Sequence, residues 1–145
     1  MAEFIKQSWV FPVVQSIHLI GLTMLVGTIC LMDFRILGAA MRSRSVSDLS
    51  ETLAPWTSTG LLTVLITGPV MFGSDPGRYV QNPAFAVKMG LLAMALAAHF
   101  TLHRKALLGA RESRRQKLAA ILSLILWSGV VLAERAIADF DIRQI

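Results

Sequence analysis

Cysteine is almost absent: Cys30 is the only one in 145 residues, and it sits inside an apolar run. A single thiol excludes a disulfide framework and a CxxC metal site, and Cys30 reads as a small buried hydrophobe. Charge is scarce as well. Only 16% of residues are Asp, Glu, Lys or Arg, against about 25% in a typical soluble domain. What fills the chain instead is apolar: 54% hydrophobic residues and a mean hydropathy of +0.61. These totals describe an integral membrane protein, with the lipid bilayer as its first partner. No internal repeat, low-complexity tract, nucleophile triad, phosphate loop or zinc signature is present. The opening MAEFIKQSW lacks a basic n-region and a cleavage site, so the first apolar segment is expected to stay in place.

Four runs approach the ~20 residues needed to cross a ~30 Å hydrocarbon core: 10–32, 56–72, 84–102 and 118–133. They predict one integral membrane domain over residues 1–145. Pro12 and Pro55 are expected near span starts and Pro69 near an end, and Pro76 and Pro83 bracket the connector GSDPGRYVQNP, which reads as turn chemistry. Trp9, Trp56 and Tyr79 suit an interfacial aromatic belt. The net charge of +5 would suggest nucleic acid in a soluble chain. Here the cations lie between apolar runs, where they set topology, and no nucleic-acid partner is expected. The first and third connectors hold Arg35, Arg42, Arg44, Arg104, Lys105, Arg111, Arg114, Arg115 and Lys117. The opposite side holds Lys6, Arg78, Lys88, Arg135 and Arg143. The richer side belongs in the cytoplasm, which puts both termini on the periplasmic side of a bacterial inner membrane.

The polar residues inside the spans fall on stripes. Lys88 and His99 are eleven apart, about 20° from each other at 100° per residue, and share a face with Leu92 and Ala95. Ser123, Trp127 and Glu134 line the fourth span, Thr59, Thr63 and Thr67 the second, and His18 falls with Gly21, Leu22 and Leu25 in the first. Each stripe is expected to face the bundle interior, because ionisable groups are costly in lipid. His18 lies about 13 Å past Trp9, too deep to snorkel easily, and His99 about 21 Å deep from the same side. His103, beside Arg104 and Lys105, reads as interfacial. Lys88 and Glu134 come near the same surface and are expected to pair.

A neutral histidine in an apolar bundle suits haem iron, and haem b needs no CxxCH. Three histidines allow one bis-histidine haem at most, from His18 with His99. The ~8 Å difference in depth makes single ligation by His18 the main variant. Gly21 would leave room for the macrocycle, and Lys88, Arg78 or Arg135 would meet its propionates. Copper is the weaker metal option: Met24 and other methionines suit Cu(I), but no tight His–Met cluster occurs. A proton relay through Lys88, Glu134 and the histidines is a further reading.

The pieces WVFPVVQSIHLIGLTMLVGTICLMDFRILG, NPAFAVKMGLL and SLILWSGVVLAERAIADF together resemble an uncharacterised family of small bacterial four-helix membrane proteins, over nearly the whole chain. A second resemblance is to HemJ-type protoporphyrinogen oxidases and CopD-like membrane proteins. It rests on His18, Gly27, Arg35, Lys88 and His99. That resemblance implies a haem b held by the first-span histidine.

The expectation is therefore an all-α, four-transmembrane-helix bundle that binds haem b and passes electrons to quinone or within a larger membrane complex. The site residues expected are His18, His99, Gly21, Lys88 and Arg135, with His18 and His99 on iron. Two alternatives differ in class: a cofactor-free accessory subunit whose stripes serve packing, and a porphyrinogen-oxidising enzyme. Other membrane subunits or further copies of the chain are the expected protein partners.

Overall fold

A backbone in lipid has no water to satisfy its N–H and C=O groups, so apolar runs of this length wind into helices. The computed structural model describes residues 9–107 and 114–142, the side chains of 102–107 and 140–142 excepted. His103 and five of the counted cations (Lys6, Arg104, Lys105, Arg111 and Arg143) lie outside these described side chains. The helices are α1 (Val10–Leu37), α2 (Val46–Ser74), the short α3 (Pro76–Gln81), α4 (Pro83–Leu107) and α5 (Arg114–Ile142). Among the described residues there is no strand. Helices α1, α2, α4 and α5 are each long and apolar enough to cross a membrane.

The helices run beyond their apolar cores, and local signals set their ends. Gly38 takes the left-handed conformation (φ 72°) after α1, its N–H bonding Arg35 O while Ala39 N–H bonds Phe34 O. This pair of bonds closes the last turn. Ser45 caps α2, its hydroxyl accepting from Asp48 N–H at 3.0 Å, so the helix starts ten residues before the apolar run. Pro55 and Pro69, expected at span edges, are therefore inside α2. Along the same helix Thr59, Thr63 and Thr67 donate to the carbonyls of Pro55, Thr59 and Thr63 at 2.8, 2.8 and 2.6 Å, so these hydroxyls are satisfied within their own helix.

The connector expected to be turn only contains α3, and Tyr79 packs inward from it. It is buried at 7% exposure between Phe72 and Phe85, whose ring centroids lie 6.1 and 5.4 Å from its own. Aromatic packing outweighs the pull of its hydroxyl toward the interface. Trp9 and Trp56 are exposed, as belt residues are.

In the bundle, α1 packs most extensively on α2 and α4 on α5, the two pairs meet through α1 and α5, and α2 and α4 touch little. The core is Leu22, Leu25, Ile29, Val64, Ala95, Leu126, Trp127 and Val130. Leucine and isoleucine side chains cover the outside, with Ile20, Leu62, Ile125 and Leu132 all well exposed, as a lipid-facing surface requires. Glycines set the α1–α2 spacing. A Cβ on Gly60 would come within 2.7 Å of Leu25 N and 2.8 Å of Gly21 O, and one on Gly21 within 2.7 Å of Thr63. Small residues let two backbones approach this closely.

Candidate functional site: a polar cluster shared by four helices

The inward stripes meet near the α3 end of the bundle, where each spanning helix delivers one polar side chain. His18 comes from α1, eight residues or about 12 Å into the helix, and is buried at 3% exposure. Thr67 comes from α2 and is buried too. Lys88 of α4 and Glu134 of α5 form an ion pair, as their stripes suggested. The charges of this pair lie within electrostatic range of the His18 ring.

Hydrogen-bond accounting fixes the imidazole. His18 Nδ1 lies 2.7 Å from Thr67 Oγ1, and the Thr67 hydroxyl lies 2.6 Å from Thr63 O. A hydroxyl has one proton to give. Since the carbonyl can only accept, Thr67 donates to Thr63 O and accepts from His18 Nδ1–H. The neutral ring then carries its lone pair on Nε2. Gly68 flanks the ring: a Cβ there would sit 3.7 Å from His18 Cε1.

At the α3 end the Phe72, Tyr79 and Phe85 rings pack on one another as a roof to the bundle, with Arg78 over Tyr79 at 5.7 Å from the centroid. Asn82, buried at 1% exposure, holds this roof to the bundle. Its Oδ1 accepts from Ala84 N–H at 3.0 Å and its Nδ2 donates to Ile137 O at 3.3 Å.

His99 is elsewhere. It faces a cavity of about 130 Å³ toward the other end of the bundle, among Thr28 and Met32 of α1, Ala54 and Thr57 of α2, and Leu96 of α4. Arg135 points outward, 72% exposed, and pairs with Asp139 at 3.2 Å. Gly21 lies under Thr63. Of the five residues singled out from sequence, the bundle thus brings together His18 and Lys88. Their partners Thr67 and Glu134 were visible as stripe residues.

Asp33 was passed over. It is 2% exposed, and its Oδ2 has no hydrogen-bond partner among the described residues. Ser123 of α5 stands beside it. The Ser123 hydroxyl and the Trp127 indole N–H, both fully buried, are also without such partners. The signal was available: Leu22, Leu25, Ile29 and Asp33 repeat at helical spacing on the His18 face. Drawing the first span only to Met32 hid it.

The haem expectation meets this geometry unevenly. A histidine held through Nδ1, with Nε2 carrying the lone pair, is how a metal-binding imidazole is usually oriented. Space is the obstacle. His18 is enclosed, Gly21 opens no gap, Lys88 is occupied by Glu134, and His99 faces a different space. The cavity beside His99 is below the ~300 Å³ at which pockets for drug-sized ligands begin. The macrocycle does not fit the bundle as packed. Among the described residues no three His, Cys, Asp or Glu side chains cluster as a metal site.

Compared with known proteins, residues 8–140 match the family described as "Family of unknown function (DUF6644)". No curated protein and no solved structure matches the chain, so the HemJ-type and CopD-like resemblance gains nothing from these comparisons. The match covers most of the sequence, and the chain belongs to the DUF6644 family.

Proposed function

We propose that this member of the DUF6644 family is a multi-pass membrane protein that takes up and releases protons at the His18–Lys88–Glu134 centre. The observation that carries the reading is that four helices place a histidine, its threonine partner and an ion pair at one interior point. Burying charges costs several kcal/mol per ion even after relaxation, and apolar side chains of similar volume would pack these helices at lower cost. Intramembrane ionisable groups are, for that reason, rare and usually functional. His18 Nε2 accepts, Glu134 accepts when it lets go of Lys88, and Thr67 keeps the ring oriented throughout. By the count of Lys and Arg, the α3 end is the periplasmic one and the inner membrane of a bacterium is the setting.

The test is proton uptake into liposomes holding the purified protein, read with an entrapped pH dye under an imposed potential. Uptake by the wild type that falls to the empty-liposome rate in Glu134→Gln and His18→Phe supports the reading. No uptake above empty liposomes overturns it and leaves the packing role, in which the ion pair only pins α4 to α5. Haem-b electron transfer is the competing reading: it has the Nε2 lone pair of His18 in its favour and requires the helices to repack around the macrocycle. A reducible b-type absorption spectrum lost in His18→Ala would put it first.

A further inference from the structure

The seam between α1 and α5 buries three polar groups that the His18 centre does not use. Asp33 of α1 and Ser123 and Trp127 of α5 are each at 2% exposure or less. Asp33 Oδ2, Ser123 Oγ and Trp127 Nε1 have no hydrogen-bond partner among the described residues, and Ser123 stands beside Asp33. Trp127 follows one turn later on the same face of α5. Side chains lean toward the N-terminus of their helix, so its ring leans back over the Ser123 turn.

The Ser123 hydroxyl is unlike the others in the spans. Ser16, Thr23, Thr59, Thr63, Thr67 and Thr101 each donate to the carbonyl four residues back, the ordinary bond for a hydroxyl on a helix. Ser123 makes no such bond and faces α1 at Asp33. Packing alone does not call for this arrangement. An aliphatic side chain would fill the Asp33 position without the cost of burying a carboxyl.

The charges nearby are turned elsewhere. Among the described residues Asp33 has no ion-pair partner, and its titratable neighbour on α1 is the Cys30 thiol, one turn back. Arg35 donates through Nε to Arg44 O. On α2, Asp48 pairs with Arg44 at the surface, and Glu51 is exposed. The α5 cations Arg114, Arg115 and Lys117 lie on exposed positions before Ser123.

Hydrogen-bond roles then decide what the trio can hold. A carboxylate only accepts, a carboxylic acid has one O–H to give, a serine can do either, and an indole N–H can only give. With a proton on Asp33, its O–H donates to Ser123 Oγ. With the proton gone, the Ser123 O–H swings round to the carboxylate, and Trp127 Nε1–H is the second donor for the charge. A lysine in place of Ser123 would favour the charged form alone. The serine serves both forms.

We infer that Asp33 is a second proton-binding site, exchanging one proton with water at the Leu37 end of α1. It lies four residues, about 6 Å, from that helix end and fifteen residues, about 22 Å, from His18. Leu22, Leu25 and Ile29 fill the buried face between the two, so the sites are separate. Only the use of Asp33 as a second station for transported protons rests on the proton reading above.

The experiment is an infrared pH titration of the purified protein in lipid, which needs no proton flux. A protonated-carboxyl band that disappears on raising the pH is expected, absent from Asp33→Asn and retained in Glu134→Gln. Ser123→Ala should raise its midpoint by about one pH unit, a tenfold change in proton affinity, because a hydrogen bond to the charged form is the stronger one. Trp127→Phe should raise it less. Should Asp33→Asn fail to fold, the small truncation Ser123→Ala still decides the point. No band lost in Asp33→Asn, an Asp33 band that no pH removes, or a midpoint indifferent to Ser123→Ala would overturn the assignment. Liposomes without proton uptake would end the transport reading and leave this band as it is.

Discussion

The two ends of the bundle treat polar groups in opposite ways. Near α3, the named polar side chains have partners: His18 bonds Thr67, Lys88 is ion-paired with Glu134, whose Oε2 makes no further hydrogen bond among the described residues, and Asn82 bonds the backbone of α4 and α5. Toward the other end, Asp33 Oδ2, Ser123 Oγ and Trp127 Nε1 are buried without a hydrogen-bond partner among the described residues, and a cavity opens beside His99. The first end pairs its charges, and the second has room for something to enter. Buried polar groups are almost always satisfied by protein or water. The second end is therefore where exchange with water or small molecules is to be sought, and the first is where a proton can be held.

The sharpest way to break this contrast is to cut the first end at its ion pair. Glu134→Ala leaves Lys88 charged and partnerless in the bundle, a loss of about 3–5 kcal/mol by the usual cost of orphaning a buried charge. Lys88→Met with Glu134→Leu together should recover most of that loss. Unfolding in mild detergent reads both, and additive losses in the double-mutant cycle would count against a direct pair.

Next in size is the α1–α2 contact that positions His18 over Thr67. Gly60→Ala brings a Cβ to 2.7 Å from Leu25 N and 2.8 Å from Gly21 O, both backbone atoms that cannot step aside. The helices must separate, at about 1–3 kcal/mol. Crosslinking of a cysteine pair across α1 and α2 should fall with it, whereas unchanged crosslinking would mean the backbones are not in contact there.

Thr67→Val keeps the volume of the side chain and removes the acceptor for His18 Nδ1–H. The expected loss is about 1–3 kcal/mol for a buried donor left unmade. Thr67→Ser should retain the bond and most of the stability. The smallest effect belongs to the outside of the bundle: Arg135→Ala breaks an exposed i,i+4 pair with Asp139 and should change stability by about 0.5 kcal/mol or less. A larger change would mean that Arg135 makes contacts beyond this exposed pair.

What the sequence made legible is angular. Helical spacing put His18, Leu22 and Leu25 on one buried face, Lys88 and His99 on another, and Ser123, Trp127 and Glu134 on a third, and the bundle follows those faces. Angle and depth together also gave the Lys88–Glu134 pair. Partner choice across helices was less legible, since spacing within α1 says nothing about which residue of α2 will face His18. Thr67 became its partner through the Gly21–Gly60 approach, a tertiary fact. Pro55 and Pro69 misled for a related reason: local preference marks them as edge residues, yet α2 runs through both.

The most direct measurement of the central claim is an infrared pH titration of the purified protein in lipid. The wild type is expected to show a protonated-carboxyl band that disappears in Glu134→Gln. Its midpoint should move in both His18→Ala and Lys88→Met, because the three groups share their protons. A Glu134 band whose midpoint is indifferent to His18→Ala, or no titrating Glu134 band at all, would contradict a shared proton centre.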